Sequence, residues 1–174
     1  MQNLCNSFFW VSRRDIVSKN MNYINVNEVN NIRYLILSFL NLRKKIFSLF
    51  GLSFFFLLTN KKGRVFSISR KSFSKNIGCS LQLSSKESLN FLERFLLLNL
   101  RQVLELEDGF NKKSLSKNGT FSFVINDIHI FTELGEDLFK FRDLKNLTIS
   151  IIFSNNDLNS NLFLLESVGF RFKN

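Results

Sequence analysis

Ile77-Gly78-Cys79-Ser80-Leu81-Gln82-Leu83-Ser84 runs directly into Ser85-Lys86-Glu87, and this junction decides the fold. The first eight residues read as a strand. A serine at 84 or 85 then offers the side-chain oxygen that caps a helix beginning near Lys86-Glu87. From there Leu89, Phe91, Leu92, Phe95, Leu96, Leu98, Leu100 and Val103 make a long helix that is apolar nearly all round. Such a helix has little face for water and is expected to be the buried central helix.

Immediately upstream lies Asn60-Lys61-Lys62-Gly63-Arg64-Val65-Phe66-Ser67-Ile68-Ser69-Arg70-Lys71-Ser72-Phe73-Ser74-Lys75-Asn76, with six basic residues, no acid and many hydroxyls. A segment of this kind can neutralise several phosphates while Phe66, Ile68 and Phe73 stack on bases or anchor its base, which suits RNA. Taken alone, a charge run is as readily a solvated loop. It is expected to be an extended, mobile basic loop at about 60–76.

Further towards the N-terminus, Leu40 to Phe50 carries Leu42, Ile46, Leu49 and Phe50 at helical spacing, with a break at Gly51 and a strand from Phe54 to Thr59. Ile32 to Phe39 reads as a strand, and residues 8–20 as a short amphipathic helix. Downstream, Asp108-Gly109 marks a turn, Thr120 to Ile130 is strand-like, Gly135 to Asp143 is polar, Leu147 to Phe153 is the clearest strand, and a helix closes the chain from about Asp157 to Val168. That last helix is expected to carry Leu158, Leu162, Leu165 and Val168 on one face. Helices and strands mix without a regular βαβ alternation, so the expected class is α+β, with a largely antiparallel sheet, in one domain over residues 1–174.

Charge identifies the kind of partner. Lysine and arginine total 24 against 14 acidic residues, a formal net charge of +10, which favours a polyanion, nucleic acid before an acidic membrane surface. Residues 1–104 hold 16 basic and 4 acidic side chains, and residues 105–174 hold 8 and 10, so the polyanion site belongs to the basic half. The 22 phenylalanines, with no proline and no alanine, match AT-rich codons. That composition points to a mitochondrial gene, with a plastid gene second, and makes each phenylalanine first a core filler.

Catalytic and metal-binding patterns are missing. Cys5 and Cys79 are far apart with no CxxC and no clustered histidine, so neither zinc nor a disulfide framework is expected. The lone histidine, His129, sits in a strand pattern with no framing nucleophile, and no glycine-rich phosphate loop exists. No enzymatic activity and no cofactor are expected. The apolar run Ile46 to Leu58 is too short for a bilayer, which takes about 20 residues, and reads as buried core without membrane insertion.

Read in order, several segments resemble large-subunit ribosomal protein five of the bacterial and organellar type. Asn22-Tyr23-Ile24-Asn25-Val26 with Ile32 and Leu35-Ile36-Leu37 resembles that family's entry into its first strand, with Asn30 where proline is usual. Phe66, Ile68, Arg70 and Ile77-Gly78-Cys79 resemble its basic segment, again with an asparagine, Asn76, at a proline position. Phe91-Leu92-Glu93-Arg94, Asp108-Gly109-Phe110 with Lys113-Ser114-Leu115, Gly119-Thr120-Phe121-Ser122-Phe123, Ile130-Phe131-Thr132-Glu133-Leu134, Leu147-Thr148-Ile149-Ser150-Ile151 and Gly169-Phe170-Arg171-Phe172 follow in the family's order. The colinear series spans nearly the whole chain.

The resemblance implies a curved antiparallel sheet backed by helices. It implies a structural place in the central protuberance of the large ribosomal subunit, next to neighbouring ribosomal proteins. It further implies that the sheet binds 5S rRNA and adjoining rRNA, through the positions that here are Ser38 and Gln82, with Arg33, Arg43, Lys44 and Lys45 available for phosphates. The basic loop, through Lys61, Lys62, Arg64, Arg70, Lys71 and Lys75, is implied to reach peptidyl-site tRNA. Two rivals remain: a peripheral membrane protein using the segment from Ile46, and a non-ribosomal organellar RNA-binding protein.

Overall fold

The computed structural model describes residues 14, 18, 30–42, 45–69, 75–99, 109–116 and 118–173. It is α+β, with an open five-stranded antiparallel sheet. The strands are β1 (Ile32–Leu42), β2 (Arg64–Ser69), β3 (Lys75–Ser84), β4 (Thr120–Ile125) and β5 (Leu147–Phe153). The helices are α1 (Lys45–Thr59), α2 (Ser85–Arg94) and α3 (Leu158–Val168). In the sheet the strands lie in the order β2-β3-β1-β5-β4, which puts β1 at the centre and β2 and β4 at the edges. The helix expected over 8–20 falls almost wholly outside the described residues, within which Arg14 and Ser18 are helical. Cys5 lies outside them too.

The chain forms two compact units. The unit made of 35–83 and 122–150 contains most of the sheet and α1. Here α1 is one uninterrupted helix through Gly51, so the break at Gly51 and the strand over Phe54–Thr59 are both corrected. The reason is packing. Gly51 lies against the buried Cys79 of β3, where a larger residue has no room, and Phe54 and Phe55 close on Phe39 of β1 with ring centroids 5.5 and 5.3 Å away. Phe54 also meets Phe131 and Phe141 edge-on at 5.6 Å. The helix stops at Asn60, which adopts φ 56° and donates its N–H to Phe56 O at 2.7 Å.

In the same unit, β4 ends at Ile125, and His129 sits in a short 3-10 turn, not in a strand. The Asp127 carboxylate accepts the His129 N–H at 2.8 Å, which starts the turn and leaves His129 exposed between buried Ile128 and Ile130. The polar stretch that follows winds as 3-10 helix over Thr132–Phe141, kinked at Gly135.

The second unit comprises 1–34, 84–121 and 151–174. Ser84 caps α2, its N–H donated to Glu87 Oε2 at 3.1 Å, as the sequence suggests. The helix passes into a π-turn at Phe95–Asn99, and residues 100–108 lie outside the described set. Phe91, Leu92 and Phe95 are buried, but Leu97 and Leu98 are exposed, which corrects the all-round burial expected of this helix. Four consecutive apolar residues cannot share one helix face, and Phe95 takes the inward place by stacking on Phe91.

α3 buries Ser160, Asn161, Leu164 and Leu165, whereas Leu158 is exposed, so its inner face is turned from the one expected. A polar link sets that rotation. Asn30 Nδ2 donates to Asn161 Oδ1 at 2.8 Å, Ser154 Oγ donates to Asn30 Oδ1 at 3.3 Å, and Asn161 Nδ2 donates to Asn155 O at 3.2 Å. At the chain end, Phe110 bridges Phe172, and Phe110, Phe121, Phe170 and Phe172 form one ring cluster with centroids 5.3–6.3 Å apart.

Candidate nucleic-acid interface

The basic stretch forms a β-hairpin. β2 pairs antiparallel with β3 from Arg64↔Ser80 to Ser69↔Lys75, so the loop expected over 60–76 is ordered strand along most of its length. Hydroxyl and branched residues alternate here, a pattern that pairs readily as an edge strand. Six paired residues at about 3.3 Å each carry the tip about 20 Å beyond the hairpin base. Arg70 and Lys71 belong to that tip and lie outside the described residues. Lys61, Lys62 and Arg64 are exposed at the base, and Lys75 opens β3.

One pairing fixes the hairpin's twist and register. Phe66 faces Gly78, and a β-carbon on Gly78 would fall 2.6 Å from Phe66 Cζ and 2.9 Å from Phe39 O. The ring therefore covers bare backbone that only glycine offers, a cross-strand arrangement that pins register.

Strand alternation assigns the faces. Leu35, Leu37, Phe39, Cys79, Leu81, Leu83, Phe123, Ile125, Leu147 and Ile149 are buried, and α1 covers this side. The opposite side carries Ile36, Ser38 and Leu40 of β1, Arg64 and Phe66 of β2, Ser80 and Gln82 of β3, Ser122 and Val124 of β4, and Thr148 and Ser150 of β5. All are exposed or half-buried, and among these described residues there is no carboxylate. Ser122 Oγ donates to Ser150 Oγ at 3.0 Å, tying the two outer strands by their hydroxyls. A hollow of about 1010 Å³ opens on this side, lined by Leu40, Val124, Asn126, Lys145, Asn146 and Thr148 among others.

The sites expected from the sequence divide accordingly. Ser38 and Gln82 lie on the open face, the first half-buried and the second exposed. Arg33 is exposed on β1 with its guanidinium carbon 5.8 Å from the centre of the neighbouring Tyr34 ring. Lys45 begins α1, while Arg43 and Lys44 lie outside the described residues. Sequence reasoning missed Ser80, Ser122, Thr148 and Ser150 as companions of Ser38 and Gln82. Their signal was present as a hydroxyl at every second position, between residues that are buried.

Among the described residues no group of three or more His, Cys, Asp or Glu is placed to hold a metal ion. Cys79 is a free buried thiol, and burial pushes its pKa up to about 11, against a smaller lowering by its hydrogen bond with the Phe39 backbone. A protonated, enclosed thiol is a poor nucleophile.

A model of the C-terminal part of the ribosomal protein uL5 family matches residues 76–172, more than half of the chain, from β3 through the terminal ring cluster. The chain belongs to the ribosomal protein uL5 family. It is similar to the large ribosomal subunit protein uL5c of Oedogonium cardiacum, 29% identical over 125 residues that cover 68% of this chain and 67% of that protein. It is also similar to the large ribosomal subunit protein uL5 of Prochlorococcus marinus (strain MIT 9515), 30% identical over 98 residues. That match covers 56% of this chain and about half, 53%, of the cyanobacterial protein. The family is structural and non-enzymatic, which agrees with the absence of a framed nucleophile in the sequence.

Proposed function

We propose that this chain is a structural constituent of the large ribosomal subunit, seated in its central protuberance as one RNA-binding domain. The open sheet face binds 5S rRNA or the adjoining rRNA, and the basic hairpin reaches peptidyl-site tRNA. The observation that carries the reading is the sheet face itself: hydroxyls and an amide at Ser38, Ser80, Gln82, Ser122, Thr148 and Ser150, with no described carboxylate. A surface of neutral donors and acceptors bordered by Arg64 can take phosphates and 2′-hydroxyls without charge repulsion.

The hairpin suits a partner that changes. Backbone contacts from lysine and arginine hold any tRNA because they read phosphate, not base. An organellar ribosome fits both the AT-rich composition, which argues for a mitochondrion, and the uL5c relative, which supports a plastid.

Sedimentation tests the whole reading. The protein is expected to stay with purified large subunits through a high-salt wash, in ribosomes isolated separately from mitochondria and plastids. Flotation with liposomes and absence from both ribosome pools would instead support a peripheral membrane protein.

A further inference from the structure

α1 is apolar on two sides, and only one of them is covered. Phe54, Phe55 and Leu58 are buried beneath it, facing the sheet. Ile46, Leu49, Phe50, Phe56 and Leu57 are 38–62% exposed on the side turned away, which corrects the reading of the whole run as buried core. With exposed Ser53 they fall at i, i+3, i+4, i+7, i+10 and i+11, the spacing of a helix–helix seam that repeats every seven residues. Helices apolar all round belong between two partners. Ser53 at the middle of the seam is small enough to allow close approach.

We propose that this stripe is a docking surface for an amphipathic α-helix of another protein, with an apolar seam and carboxylates along its flanks. The charge at the seam selects that chemistry. α1 has no acidic residue from Lys45 to Thr59, and Lys61, Lys62 and Arg64 are exposed just beyond its end. A partner helix with Glu or Asp beside its seam meets those cations. A second copy of this chain would instead bring lysines against lysines. The stripe points away from the open hydroxyl face, so a helix seated on it leaves RNA binding undisturbed. The inference therefore stands apart from the ribosomal assignment.

The test uses the full chain and a fluorescent peptide of three to four heptads, with leucine and isoleucine in the seam and glutamate flanking it. A second peptide replaces the glutamates with lysine. The glutamate peptide is expected to bind at least about tenfold more tightly than the lysine peptide, as opposite and like charges require. Leu49→Ser with Phe56→Ser is expected to abolish binding while the melting temperature and RNA binding stay as in the parent chain. Should that double variant fail to fold, Ser53→Arg blocks the seam from an exposed position and is read in the same way. Equal binding of both peptides, binding of neither, partition into anionic phosphatidylglycerol vesicles that the double variant loses, or a dimer that the double variant dissolves would each overturn the proposal.

Discussion

Gly51 of α1 lies so close to Cys79 of β3 that a β-carbon on residue 51 would sit 2.3 Å from Cys79 Sγ. The contact seats the helix on the sheet and carries a mutational signature. Gly51→Ala forces sulfur and carbon apart in a packed core and is expected to cost about 1–3 kcal/mol. Cys79→Ala removes the sulfur and leaves only the residue-79 β-carbon, 3.9 Å from the added one. The double variant is expected to recover much of the Gly51→Ala loss in a urea double-mutant cycle. Strict additivity of the two single costs would show that the pair does not touch.

The same burial gives Cys79 a pH signature. Its thiol ionises at about 11 in the folded protein, against an ordinary 9.0. Below pH 9 both states keep the proton and nothing is lost. Between 9 and 11 the unfolded chain ionises first, so stability falls as pH rises through that window. The difference in unfolding free energy between the parent chain and Cys79→Ala is expected to shrink from pH 8.5 to pH 11. In a Cys5→Ser background, iodoacetamide is expected to leave the native protein unmodified at pH 8 and to label it in urea. Rapid native labelling would show an accessible thiolate.

What could be read in advance follows from how local each feature is. Leu147–Phe153 alternates strictly and the serine–glutamate cap at Ser84 is a four-residue pattern, so β5 and the start of α2 were legible. Gly51 misled because a glycine between apolar runs looks like a break, while its real role depends on Cys79, 28 residues away. The tilt of α3 was hidden for a similar reason. Asn161 turns inward only because Asn30 waits across the fold, and a polar residue without its partner in view reads as surface. Ser38 and Gln82 came from a likeness to known proteins; their neighbours Ser122, Thr148 and Ser150 needed the strand order.

The Asn30–Asn161 pair is a buried polar link, with both residues at most 1% exposed. Asn161→Ala leaves the Asn30 amide without its acceptor and is expected to cost about 1–3 kcal/mol. Asn159→Ala, on the exposed side of the same helix turn, is expected to cost under about 0.5 kcal/mol. Equal effects in thermal unfolding would mean that only helix propensity is being measured.

Charge on the open face separates RNA binding from folding. Gln82→Glu and Thr148→Glu each place a carboxylate where phosphates are proposed to lie, at positions that water already reaches. Affinity for 5S rRNA or for the adjoining large-subunit rRNA fragment is expected to fall on the order of tenfold for each, with melting unchanged. Ser53→Glu, on the outward side of α1, is the control and should leave RNA affinity alone. Loss of affinity in the control with none in Gln82→Glu would place the RNA on the wrong side of the sheet.

The hairpin tests the tRNA contact, because its tip stands well beyond the strands that meet the sheet. Arg70→Ala with Lys71→Ala removes two cations at that tip without touching the Phe66–Gly78 pair that fixes its register. If the tip holds peptidyl-site tRNA, the variant enters large subunits normally but binds that tRNA more weakly, with the salt dependence of log K reduced by about 1 per cation removed. Filter binding of tRNA to reconstituted ribosomes across a salt series reads this slope. Reduced incorporation into the subunit would move the same two cations to an rRNA anchor. Normal incorporation together with an unchanged slope and affinity would make the tip solvated surface and end the proposed tRNA contact, while the sheet face and its own test would stand.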